Sequence, residues 1–189
     1  MHAATQTIAV TLGALAPDLT MLAFYLAMKI SGVPEFEIWD VRYFEPVWQH
    51  SFDIANSIPV YALLALAAWR LGSRSSLLFC VAALVHCVLD LLVHHDDGHR
   101  HFYPFTDFRF QSPVSYWDPA HYGRLVGFVE ILSFAGIAVW LWRSESGISR
   151  QDRITKVRFL TPLRTVILLT FSAYAGYLAF VAIYWSAPA

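Results

Sequence analysis

The stretch HCVLDLLVHHDDGHRHFYPFTDFRFQSPVSYWDPAH, residues 86–121, begins inside an apolar run and ends in a polar loop. It contains six of the eight histidines of the chain and five of its fourteen acidic residues. Read as a helix from about residue 75 onward, it places four polar residues at spacings of four, four and three: His86, Asp90, His94 and Asp97. These spacings put all four side chains on one helix face. Imidazoles and carboxylates in apolar surroundings are costly unless something binds them, and a metal ion is the simplest candidate.

The composition predicts a membrane protein. Hydrophobic residues make up 57% of the chain and charged residues 14%, with a mean hydropathy of +0.49, whereas soluble domains average about 45–50% and about 25%. Several windows of roughly 20 residues, the length of a membrane-spanning helix, carry almost no charge. We therefore expect an all-α polytopic membrane bundle, one integral membrane domain over residues 1–189, with about five transmembrane helices and an aromatic, His/Asp-rich outer cap loop over 96–121. The expected spans are residues 5–30, 52–71, 75–95, 122–143 and 162–185.

Composition also bears on partners and on cysteine chemistry. The net charge of −1 says nothing about nucleic acid, but the sequence has no basic run of the kind that holds phosphates, so we expect the lipid bilayer and no nucleic acid as partner. Cys80 and Cys87 lie seven residues apart in one apolar helix. Two helical turns rise roughly 10 Å, which is too far for a disulfide, so we expect both to be small core residues.

Two polar residues in and after the first span, Asp18 and His50, each have two possible interpretations. Pro17 and Asp18 interrupt the first span, where proline bends a helix and Asp18 either caps the second half or takes part in the polar site. Residues 31–51 mix acids with aromatics, as interfacial helices do. His50 ends this segment as an interfacial side chain or as a ligand.

Several acidic and amide side chains are predicted to cap helices or turns rather than to act in chemistry. Asp53 and Asn56 lie in the first turn of the second span, where these residue types cap well. Asp107 and Asp118 precede turn-like sequences. His121 is predicted either to cap the fourth span or to return to the metal.

The distribution of basic residues predicts the orientation. The 70–74 and 143–164 loops carry eight Lys/Arg and two acids, and the opposite side carries five Lys/Arg and nine acids. Since the positive side faces the cytoplasm, we expect the N-terminus inside and the His/Asp loop in the periplasm or at the cell exterior.

The pair His86 and Asp90 forms an H-x-x-x-D motif, whose two side chains can reach one ion from a helix. The next turns extend the donor set to His94, His95, Asp96 and Asp97. Mixed imidazole and carboxylate donors suit zinc, manganese or iron, and zinc is expected first. With three protein ligands and an open position, such an ion activates water for hydrolysis. Two other readings stay open: a buried hydrogen-bonded His/Asp pair without metal, and a solvated loop.

Four short segments carry a family resemblance: GALAPDL (13–19), QHS (49–51), HCVLDLLVHHDD (86–97) and YPF (103–105). They resemble the YdjM-like membrane-bound metal-dependent hydrolases over roughly residues 10–143, and in particular a proteobacterial subgroup sometimes labelled as cobalamin biosynthesis. The resemblance implies a small helical bundle in the bacterial inner membrane. Its motifs implicate four ligands: Asp18, His50, His86 and Asp90.

Two hypotheses from different classes follow. The first is a metal-dependent hydrolase of a lipid or lipid-linked phosphate at the periplasmic side, in which His86, Asp90 and His94 hold the ion. Asp97, Asp18 or Glu130 would then orient or deprotonate water, and Arg100 or Arg109 would receive an anionic head group or pair with acids. The second is a non-catalytic accessory subunit of a larger membrane complex, with the His/Asp cluster as a structural clamp. A weaker third idea is a carrier of metal or cofactor.

Overall fold

The computed structural model describes residues 2–144, and within that range it contains α-helices and short 3-10 turns but no strand. Contacts divide the chain into two units, Met1–Phe128 and Val129–Ala189. The first unit contains the polar stretch. The α-helices are α1 (His2–Leu15), α2 (Leu19–Ile30), α3 (Glu35–Asp40), α4 (Pro46–Ala55), α5 (Ile58–Arg70), α6 (Arg74–Val93) and α7 (Gly123–Ser144).

Helix α6 is the one helix among residues 2–144 that is by itself long and apolar enough to cross a membrane. The mean hydropathy of an 18-residue stretch within it is 2.4. Two bent pairs pass the same test when each is taken together: Thr5–Leu15 with Leu19–Ile30, bent by 61°, and α4 with α5, bent by 40°. The described part of the chain thus contains one to three candidate spans. Helix α7 forms where a span was expected but is not among these candidates. The expected span at 162–185 lies outside the described residues, so five spans are not confirmed.

The break in the first expected span occurs where proline predicted it. Helix α1 ends at Leu15 and α2 begins at Leu19, and Pro17 is fully buried between them. Asp18 occupies the N-cap position of α2, but its side chain makes no capping hydrogen bond. The carboxylate of Asp18 instead lies 3.4 Å from the His86 ring, so capping does not account for it.

Helices α1 and α6 approach each other closely at Gly13. A Cβ atom added at Gly13 would lie 2.1 Å from the backbone oxygen of Phe79, which belongs to α6. Backbone atoms cannot yield as a flexible side chain can, so any larger residue must push the two helices apart. The absence of a side chain at Gly13 therefore sets the spacing between α6 and the broken first helix pair.

We expect Gly13→Ala to lower the free energy of unfolding by about 1–3 kcal/mol, because overpacking forces backbone shifts. Gly127→Ala is the matched control, since no atom of the described residues lies within 4 Å of a Cβ added there. Thermal unfolding of both variants in detergent measures the difference. Equal melting temperatures for the Gly13 variant and the wild type would contradict this packing.

An aromatic core joins α2 to the segment that connects it with α5. Phe24, Tyr43 and Phe52 are buried and pack with ring centroids 5.4–6.4 Å apart. The 31–51 segment was expected to lie at the membrane interface, and part of its aromatic content is instead buried in this core. Phe36 and Phe44 of the same segment are exposed.

The outer loop is a folded cap, as its aromatic content predicted. The Ser112 backbone N–H donates to the carbonyl oxygen of His94 (3.0 Å), and its hydroxyl donates to that of Leu92 (2.6 Å). The N–H of Tyr116 donates to the carbonyl oxygen of Val93 (2.9 Å). These bonds satisfy the last carbonyls of α6, which have no partner within the helix, so the cap and the helix end form one structure.

We expect Ser112→Ala to destabilise the cap by about 1–3 kcal/mol, because it leaves the part-buried Leu92 carbonyl of α6 without its side-chain donor. Ser51→Ala removes a comparable hydroxyl-to-carbonyl bond within α4 at a half-exposed position, and should cost less. Hydrogen exchange of residues 94–116 reports the change. If exchange there is the same in both variants, the Ser112 bond does not hold the cap.

Candidate functional site

The polar stretch leaves the helix earlier than its spacing predicted. Helix α6 ends at Val93, and His94 has an extended backbone, with φ −110° and ψ 123°. The expectation that His94 and Asp97 continue the helical face is therefore wrong. The loop nevertheless turns back on the helix end: His94 Nε2 lies 2.7 Å from Asp90 Oδ1, and His94 Nδ1 lies 3.0 Å from Asp97 Oδ1.

The Asp90 carboxylate also receives a second histidine, which comes from the outer loop. His101 Nε2 lies 3.3 Å from Asp90 Oδ2, and His101 Nδ1 lies 3.0 Å from the carbonyl oxygen of His99. The ring centroid of His99 is 6.0 Å from those of both His94 and His101. We call Asp90, His94, Asp97, His99 and His101 the Asp90 cluster.

Sequence reasoning placed Asp90, His94 and Asp97 at the site but missed His99 and His101. Both are nearly fully buried, with 4% and 3% of their surface exposed. The only signal for them was the density of histidine in HHDDGHRH, which the solvated-loop reading explained as well. Their burial contradicts that reading for this part of the loop.

Within residues 2–144, four buried side-chain polar atoms have no hydrogen bond: His94 Nδ1, Asp97 Oδ1 and His99 Nδ1 of the cluster, and His86 Nε2 one turn before Asp90 on α6. His94 Nδ1 and Asp97 Oδ1 are close enough to attract each other but not aligned for a hydrogen bond. Such atoms are costly in a protein interior, and a water molecule or an ion is a common reason for their presence.

The charges within the cluster are unequal. Burial disfavours the charged form of His94, but the carboxylates of Asp90 and Asp97 outweigh it and raise the pKa of His94 to about 10. Burial also opposes charge on Asp97, but contacts with His94 and Trp117 lower the pKa of its carboxyl group. Burial lowers the pKa of His99 to about 4, so its ring is neutral at pH 7.

The donor chemistry of the cluster fits a transition-metal cation, although its present arrangement is a chain of pairs. Within residues 2–144, no three His, Cys, Asp or Glu side chains are placed to hold one ion. Two donors on one tetrahedral zinc ion lie roughly 3.3 Å apart. The Asp90–His101 distance of 3.3 Å is close to that spacing, whereas the Asp90–His94 distance of 2.7 Å is that of a direct hydrogen bond. Both histidines turn Nε2 toward Asp90 and Nδ1 toward an oxygen, and the Nδ1 contact is of the kind that metal-binding histidines make with the nitrogen that is not on the ion.

The aromatic core supports the cluster from one side. The Tyr43 hydroxyl donates to the carbonyl oxygen of Asp97 at 3.3 Å, and the Phe52 ring lies 6.1 Å from that of His99. Trp117 Nε1 donates to Asp97 Oδ2 at 2.9 Å. Burial raises the pKa of Tyr43 to about 12, so its hydroxyl stays protonated and serves as a donor.

The ligand set implied by the resemblance is divided. His86 faces Asp18 across the break between α1 and α2, whereas Asp90 faces the loop histidines. His50 is exposed, with Nδ1 2.5 Å from the carbonyl oxygen of Pro46. The structure thus brings together only part of the implied set, and the ligand roles of Asp18, His50 and His86 stay predictions.

The other two predicted donors within residues 94–97, His95 and Asp96, do not belong to the Asp90 cluster. Asp96 is exposed. His95 stacks on His121 with ring centroids 3.6 Å apart and planes 18° apart, and its Nδ1 faces the Ser112 carbonyl oxygen at 2.6 Å. An ion lies in the plane of each imidazole that binds it, so two stacked rings cannot chelate a single ion. The ligand roles of His95 and Asp96 stay predictions.

Both arginines proposed for substrate have partners within the chain. Arg100 binds the carboxylates of Asp53 and Asp107. Arg109 donates to the carbonyl oxygen of Gly98 at 3.0 Å and to Gln49 Oε1 at 2.8 Å. The contacts of Arg100 favour the alternative of pairing with acids. The contacts of Arg109 are with neutral acceptors, so its role stays a prediction. Glu130 falls in the second unit, and its catalytic role stays a prediction.

The capping predictions had mixed outcomes. Asp118 Oδ1 accepts from the Ala120 N–H at 2.8 Å, as expected. Asp53 lies inside α4 and binds Arg100, so its capping assignment was wrong. Asn56 follows α4, and its amide donates to the carbonyl oxygen of Phe52. The buried, unpaired cysteines at 80 and 87 are as expected.

A comparison with known protein families shows to which family the chain belongs. The sequence model of the family described as YdjM inner membrane protein matches residues 2–185. The chain belongs to the YdjM inner membrane protein family. The resemblance read from the four short segments is confirmed, and the match extends past the 10–143 range. No curated protein and no solved structure matches the chain.

Membership in the YdjM family and the apolar α6 agree on an inner-membrane protein. The family description names no reaction, substrate or metal. The multi-pass topology, the periplasmic side of the loop and the hydrolase activity therefore stay predictions.

Proposed function

We propose that this YdjM family member is a membrane-embedded, metal-dependent hydrolase whose ion is held by the Asp90 cluster. The observation that supports it is the convergence of two histidines on Asp90 at the end of α6, each with Nε2 toward the carboxylate. In this proposal Asp90, His94 and His101 are ligands and His99 is a further donor beside them. Zinc is the first expectation, with manganese or iron as the other candidates.

Each neighbouring contact has a role in this proposal. Asp97 lies beside His94 Nδ1 and would orient that ring and hold its proton, as carboxylates beside metal-binding histidines do. The His99 carbonyl oxygen does the same for His101. A bound divalent ion supplies Lewis acidity that lowers the pKa of water. Asp97, which belongs to the cluster, is the candidate base.

The proposed substrate is a lipid or a lipid-linked phosphate. The cluster begins at Asp90, within the last turn of an apolar helix long enough to cross a bilayer, and continues into the cap that follows. A site at that position meets molecules with an apolar tail and a polar head, because both parts match their surroundings. In this proposal the head group of the substrate would bind the ion itself, and Arg100 and Arg109 would keep their partners within the chain.

We expect Asp90→Asn to weaken zinc binding by at least about 100-fold, because it removes the negative charge of a proposed ligand. The two other proposed ligands, His94 and His101, both face that carboxylate. The matched control is Asp40→Asn, a change of the same kind at an exposed position. Elemental analysis of purified protein, followed by zinc titration against a chromophoric chelator, gives the numbers. His50→Asn tests the ligand set implied by the resemblance, and a large loss there would move the site away from the cluster. Equal metal content in wild type and the Asp90 variant would remove the basis of the proposal.

For activity, we expect phosphate release from a polyprenyl diphosphate or from phosphatidic acid in detergent micelles. The rate should fall to background in Asp90→Asn and stay near the wild-type rate in Asp40→Asn. Soluble p-nitrophenyl phosphate provides the comparison without a lipid tail. Faster turnover of the soluble ester than of both lipids would contradict the substrate class.

A second candidate function is that of a non-catalytic subunit of a larger membrane complex. It is favoured by the closed His–Asp pairs, which resemble a structural clamp, and by exposed aromatic rings in the cap such as Phe105 (75%) and Trp117 (51%). Aromatic side chains are enriched in protein interfaces. Purification in a mild detergent decides this point: stoichiometric recovery with a large complex, together with no zinc binding, favours the subunit over the hydrolase.

A further inference from the structure

Arg100 lies in the sequence between His99 and His101 of the cluster. One buried carboxylate, that of Asp53, binds it. Asp53 of α4 is fully buried, and its Oδ1 accepts the backbone N–H of Arg100 at 2.8 Å. Its Oδ2 accepts from Nε at 2.6 Å and lies 2.5 Å from Nη2. A single side chain therefore binds both the backbone and the guanidinium of Arg100. Charge-assisted bonds of this kind are short and strong, and a buried carboxylate requires them.

The corner between α4 and α5 holds the same loop segment at two further points. The N–H of Ile58 donates to the carbonyl oxygen of His101 at 2.9 Å, and the Ser57 hydroxyl donates to that of Tyr103 at 2.5 Å. Asp53 thus belongs to a set of contacts that fixes the backbone on both sides of His101. No part of this arrangement follows from helix spacing, because the two segments are about 45 residues apart.

We infer that Asp53 is a positioning residue: through Arg100 it holds the loop so that His101 meets Asp90 and His99 stays buried. Its functional meaning rests on the proposed metal site. The placement of the two histidines is a property of the protein without metal, so it can be measured separately. The Arg100 side chain then belongs to the support of the site, in place of the head-group contact expected from sequence.

Asp107 provides the comparison that separates positioning from charge. It binds the same guanidinium through Nη1, but its side chain is 87% exposed, and the backbone N–H of Arg100 is bonded to Asp53 instead. Exposed ion pairs contribute little to stability. Removing the charge of Asp107 should leave the loop histidines where they are, and removing that of Asp53 should release them.

The first test measures histidine accessibility with diethyl pyrocarbonate, on the full-length protein in detergent with metal removed. In the wild type, His99 and His101 should react slowly, and exposed His50 should react fast. Asp53→Asn should raise the reaction rates of His99 and His101 severalfold, while His86 on α6 keeps its wild-type rate. Asp107→Asn should match the wild type throughout.

Two outcomes of this labelling would overturn the inference. In one, His99 and His101 stay protected in Asp53→Asn. In the other, His86 gains reactivity as much as they do, which means general loosening of the fold. Arg100→Lys is the second variant in case Asp53→Asn does not fold. It keeps the positive charge but lacks the planar group that spans two bonds, and it should show the same selective gain.

The second test measures zinc affinity by competition with a chromophoric chelator. Asp53→Asn should weaken zinc binding by about 10- to 100-fold, as loss of outer-shell support does, and Asp107→Asn should change it by less than about twofold. Wild-type affinity in Asp53→Asn, despite exposed histidines, would show that the positioning serves no metal site. If the wild type binds no zinc, the proposed function fails, and the labelling still decides the role of Asp53.

Discussion

The shared carboxylate of Asp90 is the contact on which the arrangement of the site depends. It lies in the last turn of α6, the one helix among residues 2–144 that is by itself long and apolar enough to cross a membrane, and two histidines from the following loop meet its two oxygens. A carboxylate at the end of such a helix is costly unless it is paired. The loop supplies the pairing, and in doing so it is drawn back over the helix end. The pairing of this one charge thus adds to the Ser112 and Tyr116 hydrogen bonds that join helix and cap.

Around that contact, two layers of support differ in their physical nature. The rings of Phe52 and Tyr43 pack beside the cluster. The buried ion pair of Asp53 with Arg100 fixes the loop backbone. Apolar packing is tolerant of direction, whereas charged hydrogen bonds require alignment. The combination lets a loop of irregular backbone present two histidines in defined positions.

The break between α1 and α2 adds a second His–Asp pair on the same helix. His86 and Asp18 lie 3.4 Å apart, and the buried Nε2 atom of His86 has no hydrogen bond to any residue that the structure describes. His86 and Asp90 share α6 at a spacing of four, but their partners come from opposite directions along the chain. The H-x-x-x-D motif, which looks like one pair in the sequence, therefore takes part in two separate His–Asp contacts in the structure, and each contact involves a different segment of the chain.

The sequence by itself determined the helical class, the apolar α6, the break at Pro17, the buried cysteines and the family, because composition, periodicity and proline chemistry are local properties. It also placed Asp90, His94 and Asp97 at the centre of the polar stretch. The tertiary structure decided that α6 ends at Val93, that His99 and His101 are buried beside Asp90, and that Asp53 binds Arg100 rather than capping a helix. These features depend on how the chain returns on itself across 11 to 47 residues. Local patterns carry no information on such returns, since the charges that meet there satisfy one another only after the fold has brought them together.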